Sequence, residues 1–231
     1  MVNKVSLQEL LDSGAHFGHQ ARRWNPKMAE YLYGVEDGVH VFDLVKTKAA
    51  LEEALEFLQK TASEGKTILL LGTKKQAKDK AIEVATLANI PYVSERWLGG
   101  TFSNFDQVKK SVKKLADMKT SLADGAYAKY TKKERLLIER EIARLERFFG
   151  GVAKLTKLPD VLLVVDTHKE AGAVREAVAA GVTVVGIVDS NSDPEQVDYP
   201  IPMNDDAVKA VSYVLDLVKD AILSGQKKIK K

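Results

Sequence analysis

The sequence predicts an α/β protein built on a parallel sheet covered by helices on both faces, with an antiparallel helical hairpin inserted in it. Two observations predict the sheet. Residues 158–207 hold two valine-rich apolar runs, 161–165 and 182–188, with no polar alternation, as in strands buried on both sides. Residues 168–180 between them have Ala171, Val174, Ala177 and Val178 on one helical stripe, which gives strand, helix, strand. A third observation predicts the insertion. Two apolar seams, Phe105, Val108, Val112, Leu115, Met118, Leu122 and then Ile138, Ile142, Leu145, Phe149, repeat at three and four residues. They are narrow, as in a coiled coil, where a crossover helix would bury a wider stripe on the sheet.

The bulk properties fit one such domain. A chain of 231 residues is long enough for a buried α/β core plus an insertion. No apolar run approaches the ~18 residues of a membrane span, and residues 1–14 lack the apolar core of a secretory signal, so a cytoplasmic protein is expected. The absence of cysteine excludes disulfides and thiolate metal sites. The net charge of +3 is unevenly spread. Residues 105–157 carry 14 basic and 7 acidic side chains, 158–220 carry 4 and 12, and 221–231 carry four lysines. Such blocks suit a polyanionic partner on one side and a different neighbour on the other, or simply solvated helix faces.

In chain order, Ser6 caps a short helix over 7–13, with Glu9 at the capping-box position. Residues 15–28 have neither helical nor strand period but interleave His16, Phe17, His19, Arg22, Arg23, Trp24 and Lys27. Cations beside rings suit phosphates and unpaired bases of RNA, and they equally suit an arm packed on its own domain. Residues 31–35 and 39–43 flank Glu36-Asp37-Gly38 as a β-hairpin. A helix over 46–62, a strand over 67–71, a helix over 74–88 and a short strand over 90–93 follow. The turn Gly72-Thr73-Lys74-Lys75 has one glycine and matches neither phosphate-loop fingerprint, but a helix start with two lysines can hold a phosphate of a larger polyanion. Glu95–Phe105 is a shaped corner, with Arg96 and Trp97 beside Gly99-Gly100 and a cap at Ser103 or Asn104.

The helical hairpin comes next, with Thr131 and Glu134 as a capping box for its second helix. Its outer faces carry Lys109, Lys110, Lys113, Lys114, Lys132, Lys133, Arg135, Arg140, Arg144 and Arg147. A last helix over 207–223 is capped by Asn204 or Asp205, and a short basic tail follows.

Asp166 and Asp189 end two parallel strands, where doubly wound sheets place ligands. A phosphoacceptor domain lacks its acidic pair after the first strand here. A divalent metal could be held by Asp189, Asp205 and Asp206. Turn chemistry accounts for most of the same residues. No nucleophile is paired with a base anywhere in the chain.

Several strings together resemble one family: GAHFGHQARRWNPKM, HVFDLVKT, GTKKQA, RWLGGTFSN and IVDSNSDPEQVDYPIPMNDDA. They are similar to the bacterial small-subunit ribosomal protein S-two family, in order and over nearly the whole chain. The resemblance implies a three-layer, flavodoxin-like (Rossmann-like) fold with an inserted α-helical hairpin. It also implies a non-enzymatic, cytoplasmic ribosomal protein that binds small-subunit RNA and helps dock S-one, the protein that captures messenger RNA.

The expected organisation is an α/β domain over 1–104 and 151–225, a hairpin over 105–150 and a basic tail over 226–231. Expected RNA contacts are Arg22, Arg23, Trp24, Lys27, Lys74, Lys75, Arg96, Trp97, Lys109, Lys110, Lys113, Lys114, Lys132 and Lys133. The expected partners are ribosomal RNA and neighbouring subunit proteins including S-one, with no membrane, no homo-oligomer and no cofactor. The rival reading is an α/β enzyme or nucleotide-binding regulator using the Asp166/Asp189 crevice.

Overall fold

A computed structural model describes residues 5–229. The main sheet has five parallel strands, β4 (Ile68–Leu71), β5 (Tyr92–Val93), β6 (Val161–Val165), β7 (Thr183–Val188) and β8 (Tyr199–Pro202), in spatial order β5-β4-β6-β7-β8. That is the doubly wound, flavodoxin-like order, with its reversal between β4 and β6.

Strand residues alternate between the two faces, and both faces are dry. Ile68, Leu70, Leu163, Val185 and Ile187 meet α2 (Leu44–Ser63), α3 (Lys78–Leu87) and α7 (Val208–Ile229). Leu69, Leu71, Leu162, Val164 and Val184 meet α6 (Ala171–Ala179) together with Met28, Phe42, Trp97 and Phe102. Continuous apolar runs are what two covered faces require, and each such buried side chain contributes about 1.5–3 kcal/mol.

Residues 15–42 are more ordered than their sequence implies. After α1 (Leu7–Asp12), the strands β1 (Phe17–Gln20), β2 (Leu32–Glu36) and β3 (Val39–Phe42) form an antiparallel sheet in the order β1-β3-β2. Asp37 and Gly38 both have positive φ (50° and 78°), as a type I′ turn demands. The arm is tied to the main domain by backbone bonds from Asn25 N–H to the Ser190 carbonyl (2.7 Å) and from Asn204 N–H to the Ala15 carbonyl (3.0 Å). Those partners lie far away in sequence, so no local period announces them.

Three other boundaries differ. The helix expected from residue 74 begins at Lys78, because residues 74–77 form a turn closed by Ala77 N–H on the Lys74 carbonyl (2.9 Å). The buried face of α6 is Ala173, Val174 and Ala177, while Val178 points outward at 57% exposure. Residues read as a basic tail continue α7 to Ile229, with the Gln226 side chain donating to the Ala88 carbonyl (2.8 Å). Lys230 and Lys231 lie outside the described residues.

The hairpin consists of α4 (Phe105–Ala123) and α5 (Lys132–Phe149). Leu115 and Leu145 are buried at its seam, and Val108, Val112 and Phe149 pack at its root against the sheet-side core. Ion pairs Lys114–Glu141 (3.0 Å) and Lys119–Glu146 cross between the helices. Thr131 and Glu134 form the complete capping box. At the return, a Cβ on Gly151 would collide with the backbone oxygen of Tyr92, so the chain re-enters β5's flank only through glycine.

Candidate nucleic-acid interface

The carboxyl ends of β4, β6, β7 and β8 bring together Lys74, Asp166, Asp189, Asp205 and Asp206. The Lys74 ammonium lies 3.2 Å from Asp166, 2.5 Å from Asp205 and 2.7 Å from Asp206. Burial opposes its charge. The Asp205 carboxylate, hydrogen bonds to Asp205 and Asp206, and the charge of Asp166 overcome this and hold its pKa above the ordinary lysine range. Asp205 has the opposite difficulty. Burial, then the charges of Asp189 and Asp166, push its carboxyl up in spite of Lys74. One ammonium does not balance so many crowded acids.

His19 supplies the second partner for these acids. Its Nδ1 is 3.0 Å from the fully buried Asp189 and its Nε2 is 3.6 Å from Asp206. The hydrogen bond to Asp189 raises its pKa against the cost of burial, helped by the charges of Asp189, Asp205 and Asp206. Asp189 also accepts from Ser190 N–H (2.5 Å), Ser190 Oγ (3.0 Å) and Asp205 N–H (3.2 Å).

This arrangement bears on two expectations. Lys74 is paired inside the protein. The oxygens of Asp189, Asp205 and Asp206 that could have held a metal are taken by Lys74, His19 and backbone N–H groups. Among the described residues no three His, Asp or Glu side chains converge as a metal-binding set. The single glycine of the turn has a packing reason as well, since a Cβ on Gly72 would sit 2.8 Å from the Ala81 Cβ of α3. Asp166, at φ +68°, caps its own turn by accepting from Lys169 N–H (2.8 Å).

Beside this network, a cleft of about 440 Å3 opens between the 95–102 corner and the start of α6, lined by Thr73, Arg96, Trp97, Lys169, Glu170 and Glu176. Its charges are mixed. Glu176 accepts from Gly100 N–H (2.7 Å) and Phe102 N–H (3.1 Å), so it builds the corner. Trp97 is 8% exposed and packs edge-on to Phe102 at 4.9 Å. It anchors the corner in the core. The Asn104 side chain makes no capping bond to α4.

The remaining expected contacts divide by whether they are already paired. Lys27 is held by Asp193 (3.0 Å) and Glu195 (2.5 Å). Arg22 donates to the Gln20 side chain (3.1 Å). Trp24, 38% exposed, lies on His40 with ring centroids 4.9 Å apart, so one face is packed. Arg23, Lys75 and Arg96 are exposed and, among the described residues, have no acidic partner within salt-bridge distance. On the hairpin, Lys109 pairs with Asp106 (3.2 Å) and Lys114 with Glu141. Lys110, Lys113, Lys132, Lys133, Arg135 and Arg140 are exposed and unpaired among the described residues. The arginines of α5 are legible as an outer face in the sequence and, with the hairpin's lysines, are expected to contact phosphates.

Fold and site together define a class: an α/β scaffold whose crevice is closed by its own charges, with unpaired cations on the appended arm, corner and hairpin. The chain belongs to the ribosomal protein S2 family, whose model, described as "Ribosomal protein S2", matches residues 10–225. It is 46% identical over 225 residues to the "Small ribosomal subunit protein uS2" of Christiangramia forsetii, covering 97% of this chain and 75% of that relative. The protein of the same name in Flavobacterium johnsoniae is 45% identical over 97% of this chain and 89% of its own length. That of Roseiflexus sp. is 46% identical over 96% and 85%. The chain is therefore a structural constituent of the small ribosomal subunit, assembled with that subunit's RNA and proteins, and the family is not enzymatic. The crevice-enzyme reading is set aside. Among the described residues no helix is long and apolar enough to cross a membrane.

Proposed function

We propose that this protein holds small-subunit ribosomal RNA through cations hung on the α/β core, and not through the crevice at the end of the sheet. The observation that carries this is the division of the lysines and arginines. Lys74 and His19, in the crevice, are neutralised internally, whereas Arg23, Lys75, Arg96, Lys110, Lys113, Lys132 and Lys133 are exposed without acidic partners among the described residues. Unpaired surface cations are what neutralises phosphates and releases counterions. Arg22, with its guanidinium partly engaged, and the open face of Trp24 complete the arm's contribution. Lys27 joins only by giving up Asp193 or Glu195.

Affinity of the full chain for small-subunit ribosomal RNA, measured by filter binding across salt concentrations, should fall by about 0.7–0.9 log units per log unit of salt for each phosphate neutralised. A salt-independent affinity would sink the reading.

The proposal extends to a protein neighbour, for which the resemblance implies S-one. A second cleft, of about 410 Å3, supports it, with Val174, Val178 and Val197 in its lining beside Glu195 and Asp198. An apolar floor with an acidic rim suits a partner segment that is apolar and basic. Val178→Asp should weaken S-one capture while leaving RNA affinity unchanged. Undiminished capture would remove this site.

A further inference from the structure

The two hairpin helices are both basic, but their outer faces are not equivalent. With about 100° per residue, Ala143, Leu136, Arg147, Arg140, Lys133, Arg144 and Leu137 fall in that order within an arc of about 120° on α5, directly opposite the seam. Every one of them is exposed. No acid lies in this arc. The four glutamates of α5, Glu134, Glu139, Glu141 and Glu146, lie at its flanks, turned back towards the seam. There Glu134 closes the capping box and Glu141 and Glu146 hold Lys114 and Lys119 of α4.

The outer face of α4 is different. Asp106 and Asp117 interrupt Lys110 and Lys113, and Asp106 also binds Lys109 at 3.2 Å. The cation type differs too. Lys109, Lys110, Lys113, Lys114 and Lys119 on α4 are all lysines, whereas α5 carries Arg140, Arg144 and Arg147. Guanidinium forks take phosphate oxygens in pairs and lose less hydration than ammonium groups. Lys133, Arg140 and Arg147 recur every seven residues, about 10.5 Å apart, so each can take a phosphate of its own. Two weak contacts touch the stripe: Arg144 lies 3.7 Å from Glu141 at its edge, and the Arg147 guanidinium lies over the Phe148 ring, 4.9 Å from its centroid, a contact that leaves its N–H groups free for phosphate.

We infer that the outward face of α5 is the hairpin's principal RNA-binding surface, with Arg140, Arg144, Arg147 and Lys133 receiving backbone phosphates, while Lys114 and Lys119 of α4 hold the hairpin together. The inference rests on the RNA-binding reading above and assigns it to one helix face. The stripe has no acceptor and no acid, so its complement is a continuous run of negative charge, as in an RNA backbone.

The test compares two triple variants of the full chain, Arg140→Gln/Arg144→Gln/Arg147→Gln and Lys109→Gln/Lys114→Gln/Lys119→Gln. All six positions are exposed, and circular dichroism checks that the helices persist. Binding to small-subunit ribosomal RNA is read at several salt concentrations. The arginine variant should lose roughly tenfold or more in affinity near 0.1 M salt and about 2–3 units of salt slope. The lysine variant should stay within about threefold of the unsubstituted chain, since its three lysines are already held by Asp106, Glu141 and Glu146. An arginine variant that binds as the unsubstituted chain does, or a lysine variant that loses as much, overturns the assignment to α5 and leaves RNA binding intact. An arginine variant with unchanged RNA affinity that no longer joins the small subunit makes the face a protein contact and also overturns it. If the unsubstituted chain itself shows no saturable, salt-dependent binding, the underlying reading falls as well.

Discussion

Lys74 and His19 show how single residues decide what the end of the sheet can do. Each stands between carboxylates that the fold has buried, and each makes that burial tolerable. His19 has a pKa raised by Asp189, so its contribution is complete below about 6.5 and is lost as pH rises through the folded value. Asp205 and Glu170 are raised by burial, so the native state keeps protons that the unfolded chain has released above about 4. All three have the same sign. The carboxyls held below their usual range, such as Asp193 and Asp216, act only in acid, and the raised lysines only above about 10. Between pH 6 and 9 thermal stability should therefore fall, and His19→Gln should flatten part of that fall. A melting temperature that rises over this range in the unsubstituted chain would contradict the network. The sequence shows Lys74-Lys75 after a strand and cannot say which lysine turns inward. It likewise offers Trp24 and Trp97 in near-identical settings after arginine, and tertiary packing alone buries one and leaves the other half open.

At the scale of elements, legibility follows the range of the interactions. The capping box at Thr131, the hairpin around Asp37-Gly38 and the two buried valine runs are local patterns, and the structure contains them, with Glu36 belonging to the strand and not to the turn. The sheet formed by β1, β2 and β3 is less local. Its first strand is placed by Ser190 and Asn204, more than 160 residues away, and nothing within 15–28 specifies it. The acidic balance of 158–220 is only partly legible for the same reason. Asp160 caps the Thr67 N–H (2.8 Å), Asp198 the Val184 N–H (2.7 Å), and Asp216 binds Lys80 and Lys219, so part of that charge has a structural role. The hairpin is the reverse case, since its seam is thin. Leu145→Ala should cost about 2–4 kcal/mol and act locally. Amide hydrogen exchange should quicken along α4 and α5 while the strands of the main sheet keep their protection. Uniform loss of protection would mean that hairpin and core unfold as one unit.

The whole molecule separates scaffold from contact. The doubly wound core uses its ionic groups on itself, filling with Lys74 and His19 the place where related topologies hold ligands. The arm, corner and hairpin carry the charge left over. Fold class alone would have pointed to the crevice, and the pairing of each cation points away from it. The most direct test of this division is co-sedimentation of the full chain with small subunits stripped of their own copy, alongside two variants. Asp166→Asn alters the crevice while keeping a side chain that tolerates positive φ, and Arg140→Gln/Arg144→Gln/Arg147→Gln alters the hairpin. The unsubstituted chain and the Asp166 variant should travel with the subunit through a gradient at moderate salt, and the arginine variant should be depleted from it. A folded Asp166 variant that fails to join, beside an arginine variant that joins fully, would contradict the account.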